Sequence, residues 1–258
     1  MKNMYIYDKI NVGGYMKKNV LITGGSRGLG RSCALKFAQL GYNIIINYNN
    51  SYEDAVKLES YLKENYNVLV LLVKADISKE EEVINMVDII KNKFQRIDCL
   101  VNNAGIAIDT LFEDKTVQNF RRIIDVNLIG TFLVSKYIGS LMFEEKLGTI
   151  INVSSTNGID TYYPYSLDYD ASKAGVISLT HNLARQFAPY IRVNCVAPGW
   201  INTEMNKELD KEFIEKENEK ILLGRFSEPS EIANVIAFLA SDEASYINGS
   251  VIRVDGGY

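Results

Sequence analysis

Short runs of β-branched residues alternate with segments of helical period along nearly the whole chain, and this alternation restricts the possible folds more than any other feature. Strands are predicted at residues 20–23, 44–48, 68–73, 99–101, 149–153, 193–197 and 251–254. Helices are predicted between them at residues 31–40, 53–64, 80–94, 120–143, 171–187 and 231–239. Because parallel strands need crossover connections, this order predicts an α/β fold: a Rossmann-like, doubly wound parallel sheet of about seven strands with helices on both faces.

A single domain is expected, because 258 residues fit one α/β unit and no repeat or linker-like stretch divides them. Residues 1–15 precede the first strand by more than this fold needs. They are interpreted either as an N-terminal extension or as untranslated sequence before a start at Met16, and the domain as residues 16–258. Residues 206–223 form a charged, helix-prone insertion, predicted to be a lid or, alternatively, a solvated surface helix.

The charge and the cysteines argue against several kinds of partner. A formal net charge of -4 opposes nucleic acid, whose phosphates need clustered Lys and Arg. Cys33, Cys99 and Cys195 lie far apart, so neither a disulfide framework nor a metal site is predicted, and a cytoplasmic location is favoured. No apolar run of about 18 residues is expected to span a membrane, and no membrane partner is predicted.

One histidine, His181, limits the possible chemistry. Ser-His-Asp hydrolysis, Cys-His catalysis and multi-histidine metal sites all need a positioned imidazole. His181 lies in a helical segment and is interpreted as structural. The reaction is therefore expected to use other groups.

A glycine-rich loop follows the first predicted strand and opens the first helix, which is the context of a dinucleotide-binding loop. Without Cβ atoms, glycines let backbone N–H groups approach a pyrophosphate, and the positive end of the helix dipole attracts its charge. The loop residues predicted to bind a dinucleotide cofactor are Thr23, Gly24, Ser26, Arg27, Gly28, Leu29 and Gly30.

The residues after the second strand indicate which dinucleotide is bound. Enzymes that use NAD place an acidic side chain there on the ribose 2′-hydroxyl, whereas this chain has Asn47 followed by further uncharged residues. Arg27 is available to pair with a 2′-phosphate, and no carboxylate repels that phosphate. NADP(H) is therefore preferred over NAD(H), and Asn47 is included among the cofactor-binding residues. The alternative is that Arg27 is merely exposed and the cofactor is NAD.

Tyr169 and Lys173 are spaced four residues apart on a predicted helix, so they share one face. An ammonium within about 4–6 Å can lower the pKa of a phenol by roughly 1–3 units, which would make Tyr169 a usable proton donor. Ser155 ends the preceding strand, where its hydroxyl can polarise a carbonyl group. These residues predict proton transfer to or from a carbonyl oxygen.

Four motifs together resemble the short-chain dehydrogenase/reductase family over residues 18–257. They are Thr-Gly-x-x-x-Gly-x-Gly at residues 23–30, Asn-Asn-Ala-Gly at 102–105, Tyr-x-x-x-Lys at 169–173 and Pro-Gly at 198–199. The resemblance implies a catalytic tetrad of Asn127, Ser155, Tyr169 and Lys173. It also implies that the cofactor is contacted by Asp76, Ile77, Asn103, Ala104, Gly105, Tyr169, Lys173, Pro198, Gly199, Ile201 and Thr203.

In overall pattern the chain resembles bacterial 3-oxoacyl-[acyl-carrier-protein] reductases. This implies an NADPH-dependent ketone reductase that acts on a small-molecule or acyl-thioester substrate, and a homotetramer. Two features depart from that group. The turn at residues 144–146 is mostly acidic, which does not favour capture of an acidic carrier protein. The loop at residues 160–168 is long and rich in tyrosine, which could line an acyl tunnel, bind a polyol or cyclic ketone, or simply pack at the surface.

Two alternatives therefore stay open beside the thioester reductase. One is a short-chain dehydrogenase of a polyol, sugar or cyclic ketone. The other, from a different class, is a sensor or scaffold that binds NADP(H) and has lost the reaction.

Overall fold

The computed structural model describes residues 17–204 and 209–258, and they form one seven-stranded sheet in which all strands are parallel. The order in the sheet is β3-β2-β1-β4-β5-β6-β7. The strands are β1 (Asn19–Ile22), β2 (Asn43–Tyr48), β3 (Val70–Lys74), β4 (Cys99–Asn102), β5 (Gly148–Val153), β6 (Ile191–Pro198) and β7 (Val251–Val254). The predicted fold is confirmed.

Helices cover both faces of the sheet. They are α1 (Gly28–Gln39), α2 (Tyr52–Asn65), α3 (Glu80–Lys93), α4 (Val117–Ile124), α5 (Gly130–Glu144), α6 (Leu167–Phe187), α7 (Lys211–Lys220) and α8 (Pro229–Ala240). One buried cluster joins α1, α2 and α8 to one face, and a second joins α3, α5 and α6 to the other. The core is thus two apolar layers with the sheet between them.

The strands β1 and β2 begin one residue earlier than the apolar pattern predicts, because a buried asparagine starts each of them. Asn19 and Asn43 open neighbouring strands, and Asn43 Nδ2 donates to Asn19 Oδ1 at 2.9 Å. The Asn19 amide donates to Asp98 Oδ2 at 2.8 Å. A hydrophobic pattern does not identify such paired polar residues as strand.

The predicted helix at residues 120–143 is longer and contains one irregular turn. It begins at Val117, where Thr116 Oγ1 accepts from the Asn119 amide at 3.1 Å, and the predicted span missed this cap. Residues Asp125–Ile129 form a π-helical turn between α4 and α5. Such turns concentrate at functional sites, and Asn127 lies within this one.

Contrary to the sequence-based expectation, residues 17–204 and 209–258 include one helical stretch that is long and apolar enough to span a membrane. It is Val117–Glu144, with 28 residues. However, 56% of its most apolar 18-residue segment is buried inside the protein. This is the burial of a core helix, and length and composition alone are weak grounds for a span.

The order of the strands places a crevice at the carboxyl edge of the sheet. The chain winds outward in one direction from β1 to β3 and in the other from β4 to β7, so the loops after β1 and β4 diverge. Two predictions lie outside the described residues: the interpretation of residues 1–15 with a start at Met16, and the first part of the predicted lid, including Asn206.

Candidate active site

The glycine-rich loop after β1 is tied to the loop after β4. Thr23 Oγ1 accepts from the backbone N–H groups of Asn103 and Ala104, both at 3.0 Å. In return, Asn103 Nδ2 donates to the carbonyl oxygens of Thr23 and Gly24 at 3.0 and 3.1 Å. A Cβ on Gly30 would lie 2.3 Å from Gly24 O, so only glycine fits there. The structure thus brings these predicted cofactor residues together, and Thr23 and Asn103 hold the two loops in register.

The start of α1 is suited to hold an anion. Its N-cap, Arg27, makes no capping hydrogen bond, and the first turn carries no acid. By contrast, α4 and α7 begin with capping side chains, and α2, α3 and α6 have acids in the first turn. Gly28 has φ +53°, which favours glycine, and a Cβ there would come no closer than 3.8 Å to Thr203. Backbone N–H groups without a capping side chain, with open space beside them, can bind a pyrophosphate.

Asn47, which was predicted to contact the cofactor, uses its side chain to bind backbone groups. It is 2% exposed, and its Nδ2 donates to the carbonyl oxygens of Val73 and Ala75 at 3.4 and 3.1 Å. Its Oδ1 accepts from the Gly24 amide at 3.4 Å. Asn47 therefore supports the glycine loop, because its side chain links the Gly24 amide to the carbonyl oxygens at the end of β3. The exposed Arg27 remains the candidate for a 2′-phosphate contact.

Asp76 and Ile77 follow β3 at the same edge. Asp76 Oδ1 accepts from the Ser78 amide and hydroxyl at 3.0 and 2.6 Å, and Oδ2 lies 3.3 Å from Arg122 Nη2. Burial pushes the pKa of Asp76 up, but these hydrogen bonds and the Arg122 charge hold it below its usual value. The carboxylate is ionised and fixed. Ile77 is buried against Gly130, where a Cβ would lie 2.7 Å from Ile77 Cγ1.

The segment after β6 carries the remaining predicted cofactor residues. Pro198 ends β6, and the Gly199 amide donates to Val254 O at 3.1 Å on β7. Ile201 bridges to Ser227, and the Thr203 amide donates to Ile201 O at 2.8 Å. Thr203 lies beside Gly28, because a Cβ on Gly28 would be 3.8 Å from its methyl group, so the segment after β6 approaches the glycine loop.

Ser155, Tyr169 and Lys173 lie together on the opposite side of the crevice. The Ser155 hydroxyl hydrogen-bonds the Tyr169 phenol. Lys173 Nζ lies 5.4 Å from the centre of the Tyr169 ring and donates to Val153 O at 2.9 Å. The sequence predicted this grouping, and α6 creates it by placing the tyrosine and the lysine one turn apart.

The direction of the Tyr169 pKa shift was predicted wrongly. Burial raises the pKa of this phenol to about 12, and the Ser155 hydrogen bond offsets only part of the rise. Lys173 is 4% exposed, and burial lowers the pKa of its ammonium to about 8. Burial disfavours the charged form of each group, so it raises the pKa of the phenol and lowers that of the ammonium.

Asn127 joins this group through the loop after β4. Its Oδ1 accepts from the Ile106 amide at 2.8 Å, and its Nδ2 donates to Ile106 O and Ser172 Oγ at 2.9 and 3.0 Å. A Cβ on Gly105 would lie 3.3 Å from Asn127 Oδ1 and 3.5 Å from Lys173 Nζ. Gly105 therefore leaves room between the amide and the ammonium.

A buried ion pair beside Tyr169 was missed from the sequence. Lys115 Nζ lies 2.8 Å from Asp168 Oδ1 and also donates to Ile108 O at 3.2 Å. The Tyr169 amide donates to the same carboxylate at 3.0 Å. The pair fixes the loop after β4 to the first turn of α6. No local pattern signals it, because 53 residues separate the partners.

The tyrosine-rich loop divides into packed and exposed parts. Tyr163 packs against Trp200 and Phe213, with both pairs of ring centres 5.9 Å apart. Trp200 also stacks on Phe226 at 5.3 Å. We call Tyr163, Trp200, Phe213 and Phe226 the aromatic wall. Tyr162 is 86% exposed and does not share this role.

Comparisons with known proteins agree with this architecture. Residues 24–258 match a family model described as enoyl-(acyl-carrier-protein) reductase. The chain is 41% identical over 243 residues to the 3-oxoacyl-[acyl-carrier-protein] reductase of Staphylococcus epidermidis, covering 94% of this chain and 99% of the relative. It is also 41% identical over 238 residues to the reductase of the same name from Aquifex aeolicus, covering 92% and 95%. A solved levodione reductase superposes with a TM-score of 0.88 at 35% identity, covering 93% and 96%.

Proposed function

The chain belongs to the short-chain dehydrogenase/reductase family of oxidoreductases, and from this premise we propose that it is an NADPH-dependent ketone reductase of 3-oxoacyl thioesters. The observation that carries the proposal is the Ser155–Tyr169–Lys173 group facing a glycine-lined crevice. The sequence relatives named as 3-oxoacyl reductases support the substrate class.

The cofactor half of the crevice suits a reduced nicotinamide dinucleotide, which supplies a hydride when bound. The uncapped start of α1 would take the pyrophosphate, and Arg27 the 2′-phosphate. Asp76 would accept from the adenine amino group through Oδ2, which also accepts from Arg122 Nη2, whereas Oδ1 accepts twice from Ser78. Ile201 and Thr203 would bind the carboxamide of the nicotinamide, and Lys173 would bind the nicotinamide ribose.

The protein's own contribution is to polarise a carbonyl and to deliver a proton. With a pKa of about 12, Tyr169 is fully protonated at neutral pH, which suits a group that donates to an oxygen becoming an alkoxide. The Ser155 hydroxyl would bind the same oxygen. The Lys173 ammonium would stabilise the phenolate left behind, and Asn127 would hold the water that returns the proton.

Removing the Arg27 charge should change the choice of cofactor. In Arg27→Gln, affinity for NADPH is expected to fall about 10- to 100-fold, since a charge-assisted contact contributes about 1.5–3 kcal/mol. Affinity for NADH should stay nearly constant. Dissociation constants from fluorescence titration measure both. Arg185→Gln, at the exposed far end of α6, is the matched control. Equal losses for the two cofactors would contradict a 2′-phosphate contact.

A panel of four substrates tests the proposed reaction. It contains a 3-oxoacyl thioester on pantetheine, the same acyl group on acyl-carrier protein, an enoyl thioester and a cyclic diketone. We expect NADPH oxidation with the 3-oxoacyl thioester and none with the enoyl thioester, because the Tyr169 site protonates an oxygen. The acidic turn at residues 144–146 predicts little advantage for the carrier-bound form.

A second candidate is reduction of a cyclic or hydroxylated ketone. Asp109 and Asp170 both act electrostatically on Tyr169. Asp170 Oδ1 already accepts from Asn157 Nδ2 and Ser166 Oγ, so Asp109 is the candidate acceptor for a substrate hydroxyl group. The aromatic wall could pack against a compact ring. The solved levodione reductase is 35% identical to this chain, which favours the same alternative. If the cyclic diketone were the one substrate of the panel that is reduced, the second candidate function would replace the first.

We further propose a cytoplasmic homotetramer. The three cysteines are free and buried, which suits a reducing compartment. Several apolar side chains are exposed around the π-helical turn and the start of α6, including Val117, Ile129, Phe132 and Leu167. Such a patch would be covered by another copy in a symmetric assembly.

A further inference from the structure

Helix α7 (Lys211–Lys220) is anchored by a buried carboxylate. The helix is mostly polar, and Glu217 is its buried residue, with 5% of its surface exposed. A surface helix ordinarily packs through an apolar stripe. Burying a carboxylate is costly unless donors satisfy it, so the surroundings of Glu217 decide what holds α7 in place.

Three donors converge on Glu217. Trp200 Nε1 donates to Oε2 at 3.1 Å, and the Tyr258 hydroxyl donates to the same oxygen. Lys220 Nζ pairs with Oε1 at 2.5 Å. Burial pushes the pKa of Glu217 up, but these donors hold it below its usual value. The ionised carboxylate thus joins α7 to the segment after β6 and to the segment after β7.

The residues joined in this way form part of the aromatic wall. Phe213 of α7 contacts Trp200, with ring centres 5.5 Å apart. Both rings contact Tyr163, whose loop lies between Ser155 and Tyr169 in the chain. The charge of Glu217 also acts on Tyr163. The aromatic wall thus includes the loop that joins Ser155 to Tyr169, and Glu217 holds Trp200 and the helix of Phe213 against that loop.

We propose that Glu217 is a positioning residue that holds Trp200 and α7 in place and so fixes one wall of the substrate-binding space. The inference rests on the proposed reductase function. Glu217 acts through Trp200 and not on the reacting atoms, so its loss should weaken binding of the carbonyl substrate more than it slows proton transfer.

Trp200 provides a readout that needs no substrate, because it is the one tryptophan in the sequence. In Glu217→Gln and in Tyr258→Phe, acrylamide should quench Trp200 fluorescence more strongly, with emission at longer wavelength. The KM for the carbonyl substrate should rise about tenfold, the loss expected for one hydrogen bond to a charged group, while kcat changes little. Tyr258→Phe removes a single hydroxyl and keeps the test valid should Glu217→Gln fold poorly.

Matched controls separate this role from a general effect of the substitutions. Glu219→Gln alters an exposed glutamate of the same helix, and Tyr246→Phe alters a fully exposed tyrosine. Both should behave as the unaltered protein. Quenching that is unchanged in Glu217→Gln and Tyr258→Phe would refute the role of Glu217, whether or not the protein turns over a substrate. Increased quenching with an unchanged KM would refute the substrate wall. Failure of the unaltered protein to reduce any carbonyl would instead refute the reductase function.

Discussion

Tyr169→Phe is expected to lower kcat for carbonyl reduction by about 10²- to 10⁴-fold, the usual contribution of a positioned proton donor. The substitution removes only the hydroxyl that bonds Ser155 and keeps the ring beside the Lys173 ammonium. Affinity for NADPH should therefore change little. Steady-state turnover and cofactor titration measure the two effects separately.

The control for this variant is Tyr162→Phe, in the loop that precedes α6, where the side chain is 86% exposed. It should retain full turnover. If Tyr169→Phe turned over substrate nearly as fast as the control, Tyr169 would not be the proton donor, because the variant lacks the phenolic hydroxyl.

Lys173→Met is expected to abolish turnover and at the same time to stabilise the fold. The buried ammonium has a pKa of about 8 instead of 10.5, so folding disfavours its charged form. At about 1.36 kcal/mol per pKa unit, this costs roughly 3 kcal/mol at neutral pH. A methionine of similar length avoids that cost, although it loses the bond to Val153 O. The reaction needs the Lys173 ammonium, whereas burying that charge lowers the free energy of unfolding.

The sign of the pH dependence checks this interpretation. Between pH 8 and 10.5 the unfolded chain holds the Lys173 proton and the folded chain does not, so the unfolding free energy rises with pH in this window. Below pH 8 both states hold the proton and the whole cost is present. Lys173→Met should therefore exceed the unaltered protein in stability at pH 7, and the difference should vanish as the pH rises past 10.5. Chemical denaturation across this range measures it, with the exposed Lys57→Met as control. A difference that is independent of pH would contradict the assigned cause.

The fold and the central residues of the site were predictable because their signals are local. Alternation of strands and helices gave the sheet, and the spacing from Tyr169 to Lys173 places both on one turn of helix. The glycine loop was recognisable since steric limits at Gly28 and Gly30 operate over a few residues.

The features that sequence reasoning missed depend on distance and burial. Asn47 lies at the predicted place in the chain, yet its side chain turns under the glycine loop to satisfy strand carbonyls. Lys115 and Asp168 meet only because the loop after β4 folds onto α6. The pKa of Tyr169 was predicted in the wrong direction, since spacing gives its neighbour but not its desolvation.

The predicted lid shows what local sequence signals reveal and what they miss. A helix was expected somewhere in residues 206–223, and α7 occupies Lys211–Lys220. Its charged composition equally suggested a solvated surface helix. Only the structure shows that Glu217 is buried on Trp200, because the partners that make this burial tolerable come from distant parts of the chain.

The most direct test of the central claim follows the hydrogen atoms. A 3-oxoacyl thioester is incubated with NADPH deuterated at the transferable nicotinamide position, and the product is analysed by mass spectrometry. Reduction at the Tyr169 site predicts a 3-hydroxyacyl thioester with one deuterium on the former carbonyl carbon. The unaltered protein should form it about 10²- to 10⁴-fold faster than Tyr169→Phe. Recovery of the 3-oxoacyl thioester unchanged, or equal labelling by the variant, would contradict it.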